Sequence, residues 1–315
     1  MTRRTLIVGD VIDDIIVKPR TPVTIGSDTV SQIVRCPGGS AANQAAWLAH
    51  CGGRVTFAGR VGRDGLQAHS AHLQTIGVEP VLTADPDAPT GTIVLLVDDG
   101  GERTMFTDRA ANLRLQAADV PLTLLDEADH LHLTGYSFFT EPVRAVVMDL
   151  MRHARRRGLS CSVDPSSVGF LREVGAQQFL GWTAGADIFF PNHDECAVLS
   201  GHTDPRAIIT ELAAHYRLVV LKLGDRGCAI AGQDISTFEV AAVPTHVEDS
   251  TGAGDAFAGA FLHHWLAGGT PRQAATEAVS VAAQAVGRLG GRPPHRDRLA
   301  ADPTQYGGSS FGNIG

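Results

Sequence analysis

The chain has 315 residues, of which 43% are hydrophobic and 19% charged, proportions that are ordinary for a soluble globular protein. Its net charge is −8 without a long basic run, which argues against nucleic acid or an anionic membrane surface as a partner. The five cysteines are scattered without a C-x-x-C pair, which argues against a zinc site or a disulfide framework. No apolar stretch approaches the roughly 20 residues that span a bilayer, and no signal peptide is recognisable, so a cytoplasmic location is predicted.

Apolar runs of strand length alternate with helical segments along the whole chain. The predicted strands are 6–9, 55–58, 131–133, 160–164, 188–191 and 218–223, and the predicted helices are 42–50, 67–75, 142–156, 205–215, 256–266 and 273–286. This alternation indicates an α/β fold, in which a mostly parallel sheet is covered by helices on both faces. Ligands bind such sheets beyond the carboxyl ends of the strands, where Asp10, Asp164, Asn192 and Gly224 follow predicted strands.

Two sections, roughly 15–35 and 91–108, break the alternation. They contain short extended pieces, and Asp98-Asp99-Gly100-Gly101 is the predicted turn of a β-hairpin. We expect a small separate sheet that serves as a lid over the active site of a single domain spanning 1–315. Its edge strands would need covering, which predicts a homodimer through the lid. The Gly- and Ser-rich stretch 302–315 is predicted to be a flexible tail.

The heptapeptide DSTGAGD at 249–255 is the most informative motif. It places small residues before a helix predicted to begin near Asp255, and helix amides of this kind bind phosphate. An acid would repel phosphate there unless it takes the proton of an attacking hydroxyl, so the loop suggests a phosphotransferase. The structural alternative is a turn with an acidic helix start. A dinucleotide fingerprint is excluded because Phe257 replaces its third glycine, and no Gly-Lys-Ser/Thr forms a Walker A loop.

Six motifs occur in an order that resembles the ribokinase-like (PfkB) family of sugar and nucleoside kinases. They are Gly9-Asp10 with Asp14, GGSAAN at 38–43, GRVGRD at 59–64, NHDE at 192–195, KLGDRG at 222–227 and DSTGAGD at 249–255. The resemblance covers nearly the whole chain and implies a three-layer sandwich with a small β-sheet lid. It also implies that Asp255 is the general base, while the amides of Gly252, Ala253 and Gly254 hold the transferring phosphoryl group.

On the acceptor side, the resemblance implies contacts from a set of small and polar residues: Asp10, Asp14, Gly38, Gly39 and Asn43. Carboxylates and amides suit polyol hydroxyls because they accept or donate hydrogen bonds at fixed geometry. Asp14 could instead be a solvated turn residue, and Asn43 could cap a helix. Arg109, with Asn112 nearby, either reads a carboxylate on a sugar acid or is a surface charge on the lid.

On the nucleotide side, the resemblance implies that ATP contacts Asn192, Lys222, Gly224, Gly227, Thr251, Gly252 and Gly254. Glu195 would organise Mg²⁺ through water, although Asn192 and Glu195 also have the spacing of a helix capping box. Many members carry Thr where Lys222 stands. Ser166 and Val168 stand where several fructokinase-like and ketodeoxygluconate-kinase-like members carry Asn and Arg. Members often bind a monovalent cation such as K⁺, for which Asp249 and Thr251 are the matching positions.

The leading interpretation is an ATP-dependent kinase that phosphorylates an alcohol group of a sugar or a sugar-like acceptor. A nucleoside kinase of the same fold is the first alternative, because GGSAAN at 38–43 occurs in both groups. A non-catalytic regulator that binds sugar or nucleotide is the second alternative. The presence of Asp255 and its whole loop argues against the regulator.

Overall fold

Strands of β-branched and other apolar residues, buried on both faces, build the centre of the molecule. The computed structural model describes residues 3–97 and 103–294. The strands in those residues are β1 Arg4–Val8, β2 Ile12–Pro19, β3 Ser31–Gly38, β4 Arg54–Gly62, β5 Glu79–Asp85, β6 Gly91–Val97, β7 Arg103–Asp108, β8 His130–Thr134, β9 Ser160–Asp164, β10 Ile188–Phe189, β11 Leu218–Lys222, β12 Cys228–Gly232 and β13 Ile235–Val240. The helices there are α1 Ser40–His50, α2 Leu66–Thr75, α3 Thr123–Asp126, α4 Glu141–Arg156, α5 Val168–Val174, α6 Ala176–Trp182, α7 His193–Ser200, α8 Pro205–Leu212, α9 Ala253–Leu266 and α10 Pro271–Val286.

The large sheet has nine strands in the order β13-β12-β11-β10-β9-β8-β1-β4-β5. The seven strands from β11 to β5 are parallel to their neighbours, while β12 and β13 run antiparallel at one edge. Successive side chains point to opposite faces, so Leu6 and Val8 enter one hydrophobic core and Ile7 enters the other. The predicted fold class, a mostly parallel sheet between two helical layers, is confirmed.

The small sheet has four strands in the order β3-β2-β6-β7. Strands β6 and β7 pair antiparallel, as a hairpin requires, although the predicted turn at 98–101 lies outside the described residues. Strands β2 and β3 extend beyond the predicted section 15–35, since they occupy Ile12–Pro19 and Ser31–Gly38. Asp14 therefore lies inside a strand rather than in a turn. The predicted tail at 302–315 lies outside the described residues.

Several element boundaries differ from those predicted. Strands β5, β12 and β13 and helices α3, α5 and α6 were not predicted, and α7 was indicated only by the capping-box spacing of Asn192 and Glu195. Helix α8 ends at Leu212 rather than at residue 215. Helix α9 begins at Ala253, two residues before the predicted start, because Gly252 takes a left-handed conformation (φ 74°) and acts as its N-cap. In the described part of the chain, no helix combines the length and apolarity needed to cross a membrane.

Candidate active site

The N-terminus of α9 forms the centre of the site. The Ala256 amide donates to the Gly252 carbonyl (2.8 Å) and closes the first helical turn, while the Ala253 amide makes a longer bond to the Ser250 carbonyl (3.4 Å). The amides before Ala256 therefore lie at the open N-terminal end of the helix. A side chain at Gly252 would lie 2.5 Å from Gly291 Cα, which, with the positive φ, makes glycine necessary there. A methyl group on Gly254 would lie 3.4 Å from Lys222 Nζ, so a cation flanks these amides. The arrangement suits a bound phosphate.

Asp255, in the first turn of α9, is held by three side chains of α1. Its carboxylate accepts hydrogen bonds from Ser40 Oγ (2.7 Å), Asn43 Nδ2 (3.0 Å) and Gln44 Nε2 (3.1 Å). Burial raises the pKa of Asp255 to about 7; the hydrogen bonds oppose this rise, whereas the charge of Asp164 adds to it. The result is a carboxylate of fixed orientation that titrates near neutral pH.

Lys222, at the end of β11, lies between two acids. Its Nζ donates to Asp164 Oδ2 at 2.7 Å, and Glu195 is the second acid nearby. Burial alone would lower the pKa of Lys222, but the charges of Asp164 and Glu195 outweigh burial and raise it, so the lysine is a cation. In Glu195 burial acts in the other direction and raises the pKa to about 7, with Lys222 opposing and Asp164 reinforcing the shift.

The capping box predicted by spacing is present at the start of α7. Asn192 Oδ1 accepts from the Glu195 amide (2.9 Å), and Glu195 Oε2 accepts from the Asn192 amide (2.8 Å). The structural interpretation of this motif is therefore confirmed. In this capped position Glu195 still interacts electrostatically with Lys222, so the cap and a binding role are compatible.

Asp10 follows β1 and faces the first turn of α1. It accepts from the amides of Ser40 (3.2 Å) and Ala41 (3.1 Å) and pairs with Arg109 at 3.4 Å. Arg109 is 9% exposed, and its guanidinium lies over the Tyr136 ring, 3.5 Å from the centroid. The interpretation of Arg109 as a surface charge is therefore wrong.

Asp14 lies on the face of the small sheet that points into the protein. It is 6% exposed, so the solvated-turn interpretation is wrong. Burial raises the pKa of Asp14 to about 7, although Arg292 opposes the shift. A side chain at Gly38 would meet the Asp14 carboxylate at 2.1 Å, and one at Gly39 would meet the Asp10 carbonyl at 2.6 Å. Both glycines allow the chain to pass close to the two acids.

Asn43 links Arg292 to Asp255. Arg292 Nε donates to Asn43 Oδ1 (3.2 Å), and Asn43 Nδ2 donates to Asp255. The N-cap of α1 is Gly39, so the interpretation of Asn43 as a helix cap is wrong. The Asn112 side chain accepts from the Val11 amide through Oδ1 and donates through Nδ2 to the carbonyls of Val11 and Arg109. It therefore orders the loop beside Asp10.

A cavity of about 490 Å³ opens beside the first turn of α9. Its walls are mainly apolar, and the predicted nucleotide residues among its lining are Lys222, Gly224, Gly227 and Gly254. A neighbouring cavity of about 300 Å³ beneath the small sheet is lined by Asp249 and Thr251 among others. There Asp249 Oδ1 accepts from the amide (2.9 Å) and the hydroxyl (2.6 Å) of Thr251.

Comparison with known proteins decides the family. The family model for pfkB family carbohydrate kinases matches residues 3–298. The chain belongs to this family. The matching description is that of carbohydrate kinases, which are phosphotransferases.

Individual relatives agree with this placement. The kinase is 31% identical to a fructokinase of Klebsiella pneumoniae, with 92% of this chain and 93% of that protein covered. It is 30% identical to the bifunctional protein HldE of Shewanella baltica over 99% of its own length, but it spans only 66% of that relative. Among solved structures, a probable sugar kinase from Rhizobium etli CFN 42 has a TM-score of 0.84 and 25% identity, covering 93% of this chain and 96% of that one.

Four residues of the kinase that contact the site were not predicted as site residues: Ser40, Gln44, Asp164 and Arg292. Ser40 lies three residues before Asn43, and Gln44 lies four residues after Ser40, so helical spacing from Asn43 indicated Ser40 and, through it, Gln44. Asp164 ends a predicted strand at the carboxyl edge, which was also a signal. Arg292 lies in an irregular segment after α10, and no local pattern connects it with the site.

Proposed function

We propose that this kinase transfers the terminal phosphoryl group of ATP to an alcohol group of a sugar, with Asp255 as the general base. The observation that carries the proposal is the buried Asp255 carboxylate, oriented by Ser40, Asn43 and Gln44 beside the amides of the α9 N-terminus. The acceptor O–H bond breaks and its proton goes to Asp255. The acceptor oxygen then bonds to the γ-phosphorus, and the bond from that phosphorus to the bridging oxygen breaks to release ADP.

The amides of Gly252, Ala253 and Gly254 would hold the phosphoryl oxygens during this transfer. Lys222 supports that role, because its Nζ lies beside Gly254 and carries a positive charge. Donors placed before the reaction stabilise the charge that builds up in the transition state without reorganisation. The apolar cavity between Gly224, Gly227 and α10 would take the adenine ring, since flat apolar walls next to a phosphate site suit a nucleotide.

Glu195 fits a role in holding Mg²⁺ through water. Mg²⁺ prefers oxygen ligands and keeps several of its waters, and Glu195 is a buried carboxylate next to the proposed phosphate site. When bound, the ion would neutralise charge on the ATP phosphates. Asp249 and Thr251, joined by their hydrogen bonds in the loop before α9, stay the candidate positions for K⁺.

A neutral hexose or pentose is the acceptor that the site supports best. Asp10, Asp14 and Asn43 offer carboxylate and amide groups to hydroxyls, and the related fructokinase of Klebsiella pneumoniae covers nearly the whole chain. ADP release should therefore be measured with fructose, other hexoses, pentoses, sugar acids and nucleosides. Release with sugars supports the proposal, and release with nucleosides alone would contradict it. Tight sugar binding without any release would instead indicate a regulator.

The pH dependence of the kinase should follow the proposed base. Burial raises the pKa of Asp255 to about 7, and only the deprotonated carboxylate can accept a proton. The kcat is therefore expected to be low at pH 5.5, to rise through about pH 7 and to level off above it. Initial rates at saturating substrates in buffers of constant ionic strength measure this profile. A flat profile down to about pH 5 would argue against an Asp255 whose pKa is raised.

The outer face of the small sheet would form a homodimer, while the inner face would act as a lid. Register pairs place Ile15, Val17, Ile33, Val94, Leu96 and Phe106 on the outer face. Ile33 is 63% exposed and Phe106 59% exposed, an apolar face that a second copy would cover.

Charge placed on this face is expected to separate the proposed dimer. Phe106→Asp should elute as a monomer in size-exclusion chromatography with light scattering, while the wild type elutes as a dimer, because a buried unpaired charge is costly. Val23→Asp, at a position that is 59% exposed but outside the strands, is the matched control and should leave the dimer intact. A monomeric wild type at micromolar concentration would contradict the dimer.

A further inference from the structure

A polar stripe crosses the buried face of two central strands. His130 and His132 on β8 are paired in register with Ser160 and Ser162 on β9. His130, His132 and Ser162 are 0% exposed, at positions where a central parallel strand usually carries apolar side chains. Burying polar groups costs free energy unless they are hydrogen-bonded, so the stripe calls for an explanation.

The stripe is a continuous chain of hydrogen bonds that ends in the active site. His130 contacts Ser160 Oγ through Nδ1 (2.7 Å) and Ser162 Oγ through Nε2 (2.7 Å). His132 Nδ1 contacts the same Ser162 Oγ (2.6 Å), and its Nε2 contacts Gln44 Oε1. Gln44 is also the residue whose Nε2 bonds Asp255.

The chemistry of its members gives this chain a direction. Burial lowers the pKa of His130 to about 3 and that of His132 well below its usual value, so both rings are neutral. A neutral imidazole has one donor and one acceptor nitrogen, and the amide oxygen of Gln44 can only accept. His132 must therefore carry its proton on Nε2 and donate to Gln44, while Nδ1 accepts from the Ser162 hydroxyl.

The groups on the other side of Gln44 require the same orientation of its amide. With its oxygen bound to His132, its Nε2 faces Asp255 (3.1 Å), Asp164 (3.2 Å) and Ser40 Oγ (3.2 Å). A reversed amide would place its oxygen against two carboxylates and its N–H groups against the His132 N–H. We infer that His132 is a positioning residue of the phosphoryl transfer, which acts through Gln44 to keep an N–H donor on the Asp255 carboxylate. The inference rests on the proposed role of Asp255 as the base.

Other charged and polar groups also act on Asp255, and they come from several elements. They are Asp14 on β2, Tyr136 after β8, Asp164 at the end of β9, Lys222 at the end of β11 and Arg292 after α10. A substitution at His132 leaves all of them in place. A change in the titration of Asp255 in such a variant therefore reports on the orientation of the Gln44 amide.

His132→Leu tests the inference through the pH profile of kcat. Without the His132 N–H on its oxygen, the Gln44 amide is expected to turn away from Asp255 and to remove one N–H donor from that carboxylate. The acid limb of the profile, the range in which kcat rises with pH, should then move up by about one pH unit, because a hydrogen bond to a charged group is worth roughly that much. At pH 7 kcat should then fall about fivefold, and most of this loss should be recovered at high pH. A packing defect alone would lower kcat at every pH.

Two further variants serve as controls. His130→Leu removes an equally buried histidine from the same strand and face but leaves the bonds from Ser162 to His132 and from His132 to Gln44 in place, so its acid limb should stay at the wild-type position. His132→Gln keeps an N–H donor at the position of Nε2 and should restore the wild-type limb. An unchanged limb in folded His132→Leu, or an equal shift in His130→Leu, would overturn the inference.

Nitrogen-15 NMR of the wild-type kinase tests the inference without any variant. At pH 7 the spectrum should show His132 protonated at Nε2 and unprotonated at Nδ1, and the opposite tautomer would overturn it. Failure of these tests would leave the base assignment intact. An active Asp255→Asn variant would remove the base assignment itself, so the two failures can be told apart.

Discussion

Asp255→Asn is expected to lower kcat by about 10²–10⁴ while leaving the Kd for ATP nearly unchanged. The amide has the shape of the carboxylate but cannot accept the proton of the acceptor hydroxyl. The α9 amides and the apolar cavity, which are proposed to bind the nucleotide, stay in place. Steady-state rates with the preferred sugar, together with a calorimetric ATP titration of each protein, measure the two quantities.

The matched control for this variant is Asp194→Asn. Asp194 also lies in the first turn of a helix near the site, but its side chain is 81% exposed and pairs with His193. Its kcat should stay within about twofold of the wild type, as for most surface substitutions. Full activity in Asp255→Asn would refute the mechanism, whereas a loss of ATP affinity equal to the loss of kcat would indicate a binding role.

Lys222→Met is expected to lower the free energy of unfolding by about 3–5 kcal/mol. Its removal leaves two acids, Asp164 and Glu195, without the cation that compensates their burial. Removal of one partner of a buried pair is costly because the remaining charge stays desolvated. Urea denaturation followed by circular dichroism measures the loss, and kcat should fall as well if Lys222 meets the phosphate.

Two comparisons make the Lys222 result interpretable. Lys18→Met changes the chain's only other lysine, which lies near the end of the inner strand β2, and should cost less than about 0.5 kcal/mol. Asp164→Asn in the Lys222→Met background should recover part of the lost stability by removing one uncompensated charge. If both single variants at Lys222 and Lys18 are equally stable, the charge cluster does not contribute as described.

The sequence predicted the central strands well because they are buried on both faces and read as continuous apolar runs. It did not predict β5, in which Glu79, Pro80 and Asp85 interrupt the apolar pattern. That strand exists because β4 offers it an edge along seven paired residues, a tertiary effect that overrides local preference. Strand β12 was missed for a different reason: two alanines and a glycine give it little β-propensity.

Within the site, each motif predicted a local chemistry but not the contacts between motifs. The bond from Asn43 to Asp255 joins residues 212 positions apart, so neither motif alone contains it. The inferred role of His132 is similar, since two histidines that alternate with leucines on β8 give no indication of a partner on α1. Arg292 reaches Asn43 only because the segment after α10 returns across Gly252.

The three acids whose pKa burial raises to about 7, Asp14, Glu195 and Asp255, have a consequence for stability. Between about pH 4 and 7 the folded chain binds more protons at these groups than the unfolded chain does. Their ionisation therefore erodes the free energy of unfolding as the pH rises toward the range in which the base works. The proposed base becomes competent under the same conditions in which these ionisations weaken the fold, a stability–activity trade-off located in one cluster of carboxylates.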